Sequence, residues 1–174
     1  MSTRDVLMRL NRDGKIIHVP PQIPGSSAHR CVFLEANLGK RLASSVYGKS
    51  AHSQRLAMIL QDIDQFVTGQ YVSFGDHPFD KDAAAFMART DPIQAGIFDI
   101  RSREKPAQRI FGAFTETDTF VGLTLRQRKD LKTDALFSEA IVEALMVWNN
   151  LFPDHSPFVS ADPMEHVSQN VYIV

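Results

Sequence analysis

The clearest regular signal in the chain is an apolar stripe of helical period. Leu56, Ile59, Leu60, Ile63, Phe66 and Val67 recur at the spacing of one helix face, and Gln61, Asp62, Asp64 and Gln65 cover the other. The spacing predicts a helix over 53–68, capped by Ser53 and stopped at Gly69. A second stripe, Phe137, Ile141, Ala144, Leu145, Trp148, Leu151 and Phe152, predicts a helix over 134–152. Thr133 or Asp134 can cap it, and Pro153 ends it. Between the two helices the period changes. Gly96–Arg101, Gln108–Phe114 and Thr119–Leu125 read as strands joined by connections short enough for hairpins, so an antiparallel β-meander is predicted over about 96–125. Period two puts Val121, Leu123 and Leu125 on one face, with Phe98 and Ile100 able to join them, and leaves Arg126 and Arg128 opposite Leu123 and Leu125. One core holding Val121, Leu123, Leu125, Ile141, Leu145 and Trp148 follows.

The remaining pattern is weaker. Val6, Leu7 and Leu10 give a short amphipathic helix before the Asp13-Gly14 turn, and Lys15–Val19 a short strand. Pro20, Pro21, Pro24 and Gly25-Ser26-Ser27 form a loop that continues neither element. From Cys31 to Tyr47 two readings compete. Val32, Phe33 and Leu34 suit a strand, whereas Leu34, Leu38, Leu42 and Val46 suit a helix from about Leu34 to a stop at Gly48. Tyr71–Phe74 reads as a short strand, Asp80–Arg89 as a short helix ended by Asp91-Pro92, and Val171–Val174 as an edge strand after an irregular stretch. The fold class is therefore α+β, with the meander packed against helices 53–68 and 134–152. The division that follows is an N-terminal arm over 1–27, an α+β domain over 28–153 and an acidic C-terminal tail over 154–174.

Composition narrows the function classes. A chain of 174 residues with 44% apolar content has the makings of one self-supporting domain. Cys31 is the only cysteine, which excludes an internal disulfide and a cysteine-based zinc site within one chain. The N-terminus lacks the apolar region of a secretory signal, and no apolar run approaches the roughly 20 residues that span a bilayer, so the cytoplasm is the expected compartment and no membrane partner is expected. No glycine-rich phosphate loop, nucleophile elbow or HExxH motif is present, and neither metal nor cofactor is implied. The acidic group Asp76, His77, Asp80 and Asp82 fits no metal spacing, and a turn and a helix cap explain Asp76 and Asp80 more simply. His29 and Cys31 lack a third partner for nucleophilic chemistry, so a buried Cys31 is the simpler reading.

Charge changes the picture more. The net charge of −1 conceals segregated blocks: residues 101–132 hold eight Lys/Arg against four Asp/Glu, while residues 133–174 hold no Lys/Arg against six Asp/Glu. Such a block is either a footprint for an anionic partner or a set of surface arginines that keep a sheet solvated. The stretch Phe98-Asp-Ile-Arg-Ser, then Gln108-Arg-Ile-Phe-Gly-Ala-Phe, then Val121-Gly-Leu-Thr-Leu-Arg-Gln-Arg-Lys, then a helix with Phe137, Ala140, Ala144 and Trp148, resembles the RelE/HigB-like toxins. The resemblance implies a toxin–antitoxin endoribonuclease that cuts messenger RNA, usually on the ribosome, without a metal, and that an antitoxin protein neutralises. Cleavage of that kind attacks a phosphate with the adjacent ribose 2′-oxygen and needs fixed cations for the charge that develops. Arginine suits this because its planar fork can hold phosphate bidentately. The resemblance thus points to Arg109, Arg126 and Arg128 as catalytic and to Arg101, Arg103, Lys105 and Lys129 as RNA-binding. No residue stands out as the proton acceptor. A tail without basic residues could compete for the same face in cis. The alternative is a non-catalytic interaction protein, such as a mobile-element or phage-encoded inhibitor, that uses the basic sheet to hold a partner.

Overall fold

A computed structural model describes residues 1–76 and 84–174. Its α+β fold is built on one mixed sheet with helices on both faces. Helix α1 (Thr3–Arg12) starts at a capping box in which Ser2 and Asp5 satisfy each other's amides. Strand β1 (Ile16–His18) follows. Strand β2 (Cys31–Glu35) turns directly into α2 (Ala36–Ser45), because the Glu35 carboxylate accepts from the Asn37 and Leu38 amides. The helix expected from Leu34 to Gly48 is thus shorter at both ends. Helix α3 (Ala51–Val67) begins two residues before the expected Ser53 cap. Ser50 is the cap, accepting from the Ser53 amide. Gly69 closes it at φ +74°, a conformation open to glycine.

Strands β3 (Val72–Gly75), β4 (Met87–Arg89), β5 (Ile97–Ser102), β6 (Gln108–Glu116) and β7 (Thr119–Gln127) lead to α4 (Asp134–Leu151), which Thr133 caps, and to β8 (Val171–Ile173). The order across the sheet is β1-β2-β7-β6-β5-β4-β3-β8. The expected meander, β5-β6-β7, is antiparallel and forms its centre. Parallel pairings, β2 on β7 and β3 on both β4 and β8, extend it on either side. The short helix expected over Asp80–Arg89 is corrected at its end: residues 87–89 are strand, because Met87, Ala88 and Arg89 pair with β5 and are buried. The rest of that helix, together with His77, Asp80 and Asp82, falls at 77–83 and at flanking residues 84–86, of which 77–83 lie outside the described residues and 84–86 carry no helix.

The sheet has a core on each face, and five of the six residues expected to share one core, all but Leu125, do so. Leu34, Leu42, Ile59, Ile63, Phe66, Phe98, Ile100, Ile110, Phe114 and Phe120 fill the face under α2 and α3. Val6, Leu7, Phe111, Val121, Leu123, Ile141, Ala144 and Trp148 fill the face under α1 and α4. Leu125 belongs with the first set, not with Leu123. The reason is a β-bulge. Phe111 pairs with Thr124 and Gly112 with Gly122, so Leu123 has no partner on β6 and the alternation of β7 reverses beyond it. Phe98 and Ile100 likewise face α3, not the face of Val121. No helix among the described residues is long and apolar enough to cross a membrane.

Candidate phosphate-binding arginine row

The bulge decides where the arginines go. On β5 and β6 the odd-numbered residues face α4, which places Arg101 with Ile97 and Arg109 with Phe111. On β7 the reversal brings Arg126 round to the same side, where it pairs with Glu143 of α4. The expected opposition of Arg126 to Leu123 is thereby corrected. Arg101 sits opposite Arg109, and Arg109 opposite Arg126, in one row across three adjacent strands.

Like charges placed directly opposite each other on a sheet repel, so such a row requires compensation. Asp99 supplies it for the first two members. Its carboxylate is fully buried, with Oδ1 accepting from Arg101 Nε at 3.2 Å and Oδ2 from Arg109 Nη1. The Arg109 guanidinium also lies 5.7 Å from the centroid of the Phe137 ring, in the first turn of α4. Glu143 supplies the compensation for Arg126. Arg128, just beyond β7, donates to the Leu131 carbonyl at 2.8 Å. Partial burial, and then the nearby positive charges of Arg109 and Arg101, lower its pKa from the ordinary value, with Asp99 opposing. Arg128 therefore stands within electrostatic reach of the row.

The other expected RNA-binding residues surround the same end of the sheet. Arg103 and Lys105 are exposed in the β5–β6 connection, and Lys129 is exposed after β7. Arg103 also acts electrostatically on Asp62 of α3, on the opposite face. Asp62 accepts from Ser102 Oγ, to which Arg55 donates at 2.8 Å, and its pKa is raised chiefly by burial. Asp99 and Phe137 were missed as members of the arginine site. The available signal was an aspartate inside an apolar strand, two positions before Arg101 and therefore on its face.

The acidic tail does not lie over this row. It crosses at the other end of the central strands, where the Phe158 amide donates to the Phe114 carbonyl at 2.8 Å and Thr117 to the Glu165 carbonyl. Its apolar residues account for this placement, since Phe158, Val167 and Val171 join the core under α3. Arg30 and Arg89 hold its carbonyls at Gln169 and at Ser160 and Ala161. Cys31 is exposed rather than buried. Among the described residues no group of three or more His, Cys, Asp or Glu could hold a metal ion. No protein-family model matches the chain, and neither a curated protein nor a solved structure matches it.

Proposed function

We propose that the protein acts on RNA through the arginine row, as a RelE/HigB-like endoribonuclease or a descendant of that fold, cleaving phosphodiesters without a metal. The observation that carries the reading is the alignment of Arg101, Arg109 and Arg126 across three strands, with Arg128 beside them, at one end of the sheet. Among the described residues, Asp99 and Glu143 are the carboxylates paired with these arginines. A fixed cationic surface of this kind suits the negative charge that gathers on phosphate during attack by the 2′-oxygen. Arg109, Arg126 and Arg128 would stabilise that charge, and Arg101, Arg103, Lys105 and Lys129 would hold the flanking backbone. Messenger RNA, free or on the ribosome, is the substrate class, an antitoxin protein the partner, and the cytoplasm the compartment.

One observation favours a second reading, a non-catalytic protein that binds an anionic partner through the same face. Both oxygens of Asp99 are engaged by arginines, and Glu143 Oε2 pairs with Arg126, so the carboxylates at the row act as partners of its arginines. Expression in bacteria separates the two. Growth arrest and RNA cleavage that Arg126→Ala and Arg128→Ala relieve, with the fold intact by circular dichroism, are expected for the nuclease. Benign expression with retained RNA binding supports the binder. A wild-type chain that binds no RNA at low salt overturns the nuclease reading and leaves the binder only with an anionic partner other than RNA.

A further inference from the structure

We infer that Asp99 is a positioning residue that holds Arg101 and Arg109 as one preorganised phosphate clamp; the inference rests on the reading of the arginine row as an RNA site. An unpaired carboxylate buried in a sheet is strongly unfavourable, so the arginines that compensate Asp99 are themselves held by it. Each oxygen takes a different guanidinium, one from the same strand and one from its neighbour. The two side chains are thereby tied together across the β5–β6 ladder. Arg109 is fixed on a second side by the Phe137 ring, which itself packs edge-on against Phe111 at 5.4 Å between centroids. Both arginine side chains are only slightly exposed, 11% for Arg101 and 14% for Arg109, whereas Arg126 beyond them is 44% exposed. Long exposed side chains lose rotamer freedom on binding a phosphate; these two have lost most of it on folding. Asp99 thus offsets one positive charge at the site and in exchange fixes the direction of two.

The two effects predict opposite signs, which makes the inference testable. Asp99→Asn keeps the side-chain shape and raises the net charge of the site by one. If Asp99 only offset charge, the variant would bind RNA more tightly and with a steeper salt dependence. As a positioning residue its loss weakens binding of a labelled single-stranded RNA oligonucleotide roughly tenfold despite the added positive charge, the scale of one oriented charge-assisted contact. The measurement is fluorescence anisotropy at low and at physiological salt, with the fold checked by circular dichroism. Tighter or equal binding by a folded Asp99→Asn chain overturns the positioning role while leaving the RNA site standing. Absence of binding by the wild type overturns the site and the inference together. Should Asp99→Asn fail to fold, Asp99→Glu decides, since it keeps the charge but moves the carboxylate by one methylene from its two arginines. Weakened binding by that variant supports the clamp, and unchanged binding overturns it.

Discussion

His166 shows how much a single buried side chain can determine. It is 1% exposed, with its ring packed against Phe98, Phe114 and Phe158. Nε2 lies 3.2 Å from the Phe158 carbonyl, which fits the tautomer with the proton on Nε2, while Nδ1 has no partner among the described residues. Burial lowers its pKa from the ordinary 6.5, as does the charge of Arg89, against opposing contributions from the Phe158 and Pro163 carbonyls and Glu165. The folded state therefore binds this proton less tightly than the unfolded state. Stability is fully present above about pH 6.5 and declines as pH falls toward the lowered folded-state value. Thermal melts across this range should show a fall for the wild type that His166→Leu reduces. An equal fall in both chains would assign the pH dependence elsewhere. The raised pKa of Asp62 works in the other direction, because its carboxylate is harder to charge when folded and this penalty eases in acid. The comparison with His166→Leu removes it from consideration.

At the scale of elements, α4 joins the sheet to the arginine row. Trp148 is fully buried, stacks on Phe152 at 4.3 Å between centroids and donates from Nε1 to the His155 carbonyl at 2.7 Å. Trp148→Ala should destabilise the chain by about 3–5 kcal/mol through lost transfer energy and the cavity left behind. Denaturant unfolding measures this, and a loss below about 1 kcal/mol would place the helix's anchorage elsewhere. The same helix presents Phe137 to Arg109 and Glu143 to Arg126, so its docking also sets the row's geometry. The apolar stripe from Phe137 to Phe152 made this helix legible. That Glu143 would meet Arg126 was not legible, because a bulge at Leu123 rather than simple alternation brings Arg126 to that face.

For the whole molecule, the tail and the row lie at opposite ends of the central strands and should fail independently. Deleting residues after Pro153 removes β8, uncovers Phe98 and Phe114 and takes away the tail carbonyls that accept from Arg30 and Arg89, leaving Arg30 its Phe66 and Gln70 acceptors and Arg89 its pairing with Asp76. The loss should exceed about 3 kcal/mol, as when buried charges lose partners, and should appear as a lowered melting temperature and rapid proteolysis. The truncated chain consequently cannot report on competition for RNA. Salt dependence can report on the row. If Arg126 and Arg128 each contact a phosphate, replacing either with alanine should reduce the slope of log affinity against log salt by about 0.7 for single-stranded RNA. Slopes equal to that of the wild type would remove those two residues from the interface.

The sequence by itself determined the elements whose pattern is local: α1, α3, α4, the antiparallel β5-β6-β7 unit and the short β1, β3 and β8. Each carries its own period, caps or turn residues within a dozen or so positions, and neighbours in the chain are enough to select the conformation. Tertiary structure alone decided the rest. Residues 87–89 are strand because β5 offers them an edge. Apolar residues read as one face divide between two cores because a sheet covered on both sides buries both, and one extra residue at Leu123 reverses the alternation beyond it. Segregated charge indicated that residues 101–132 were basic, but not that three arginines would align or that Asp99 would hold two of them. Those facts depend on the exact register of the two hairpins and on the bulge at Leu123, which periodicity of apolar residues does not encode.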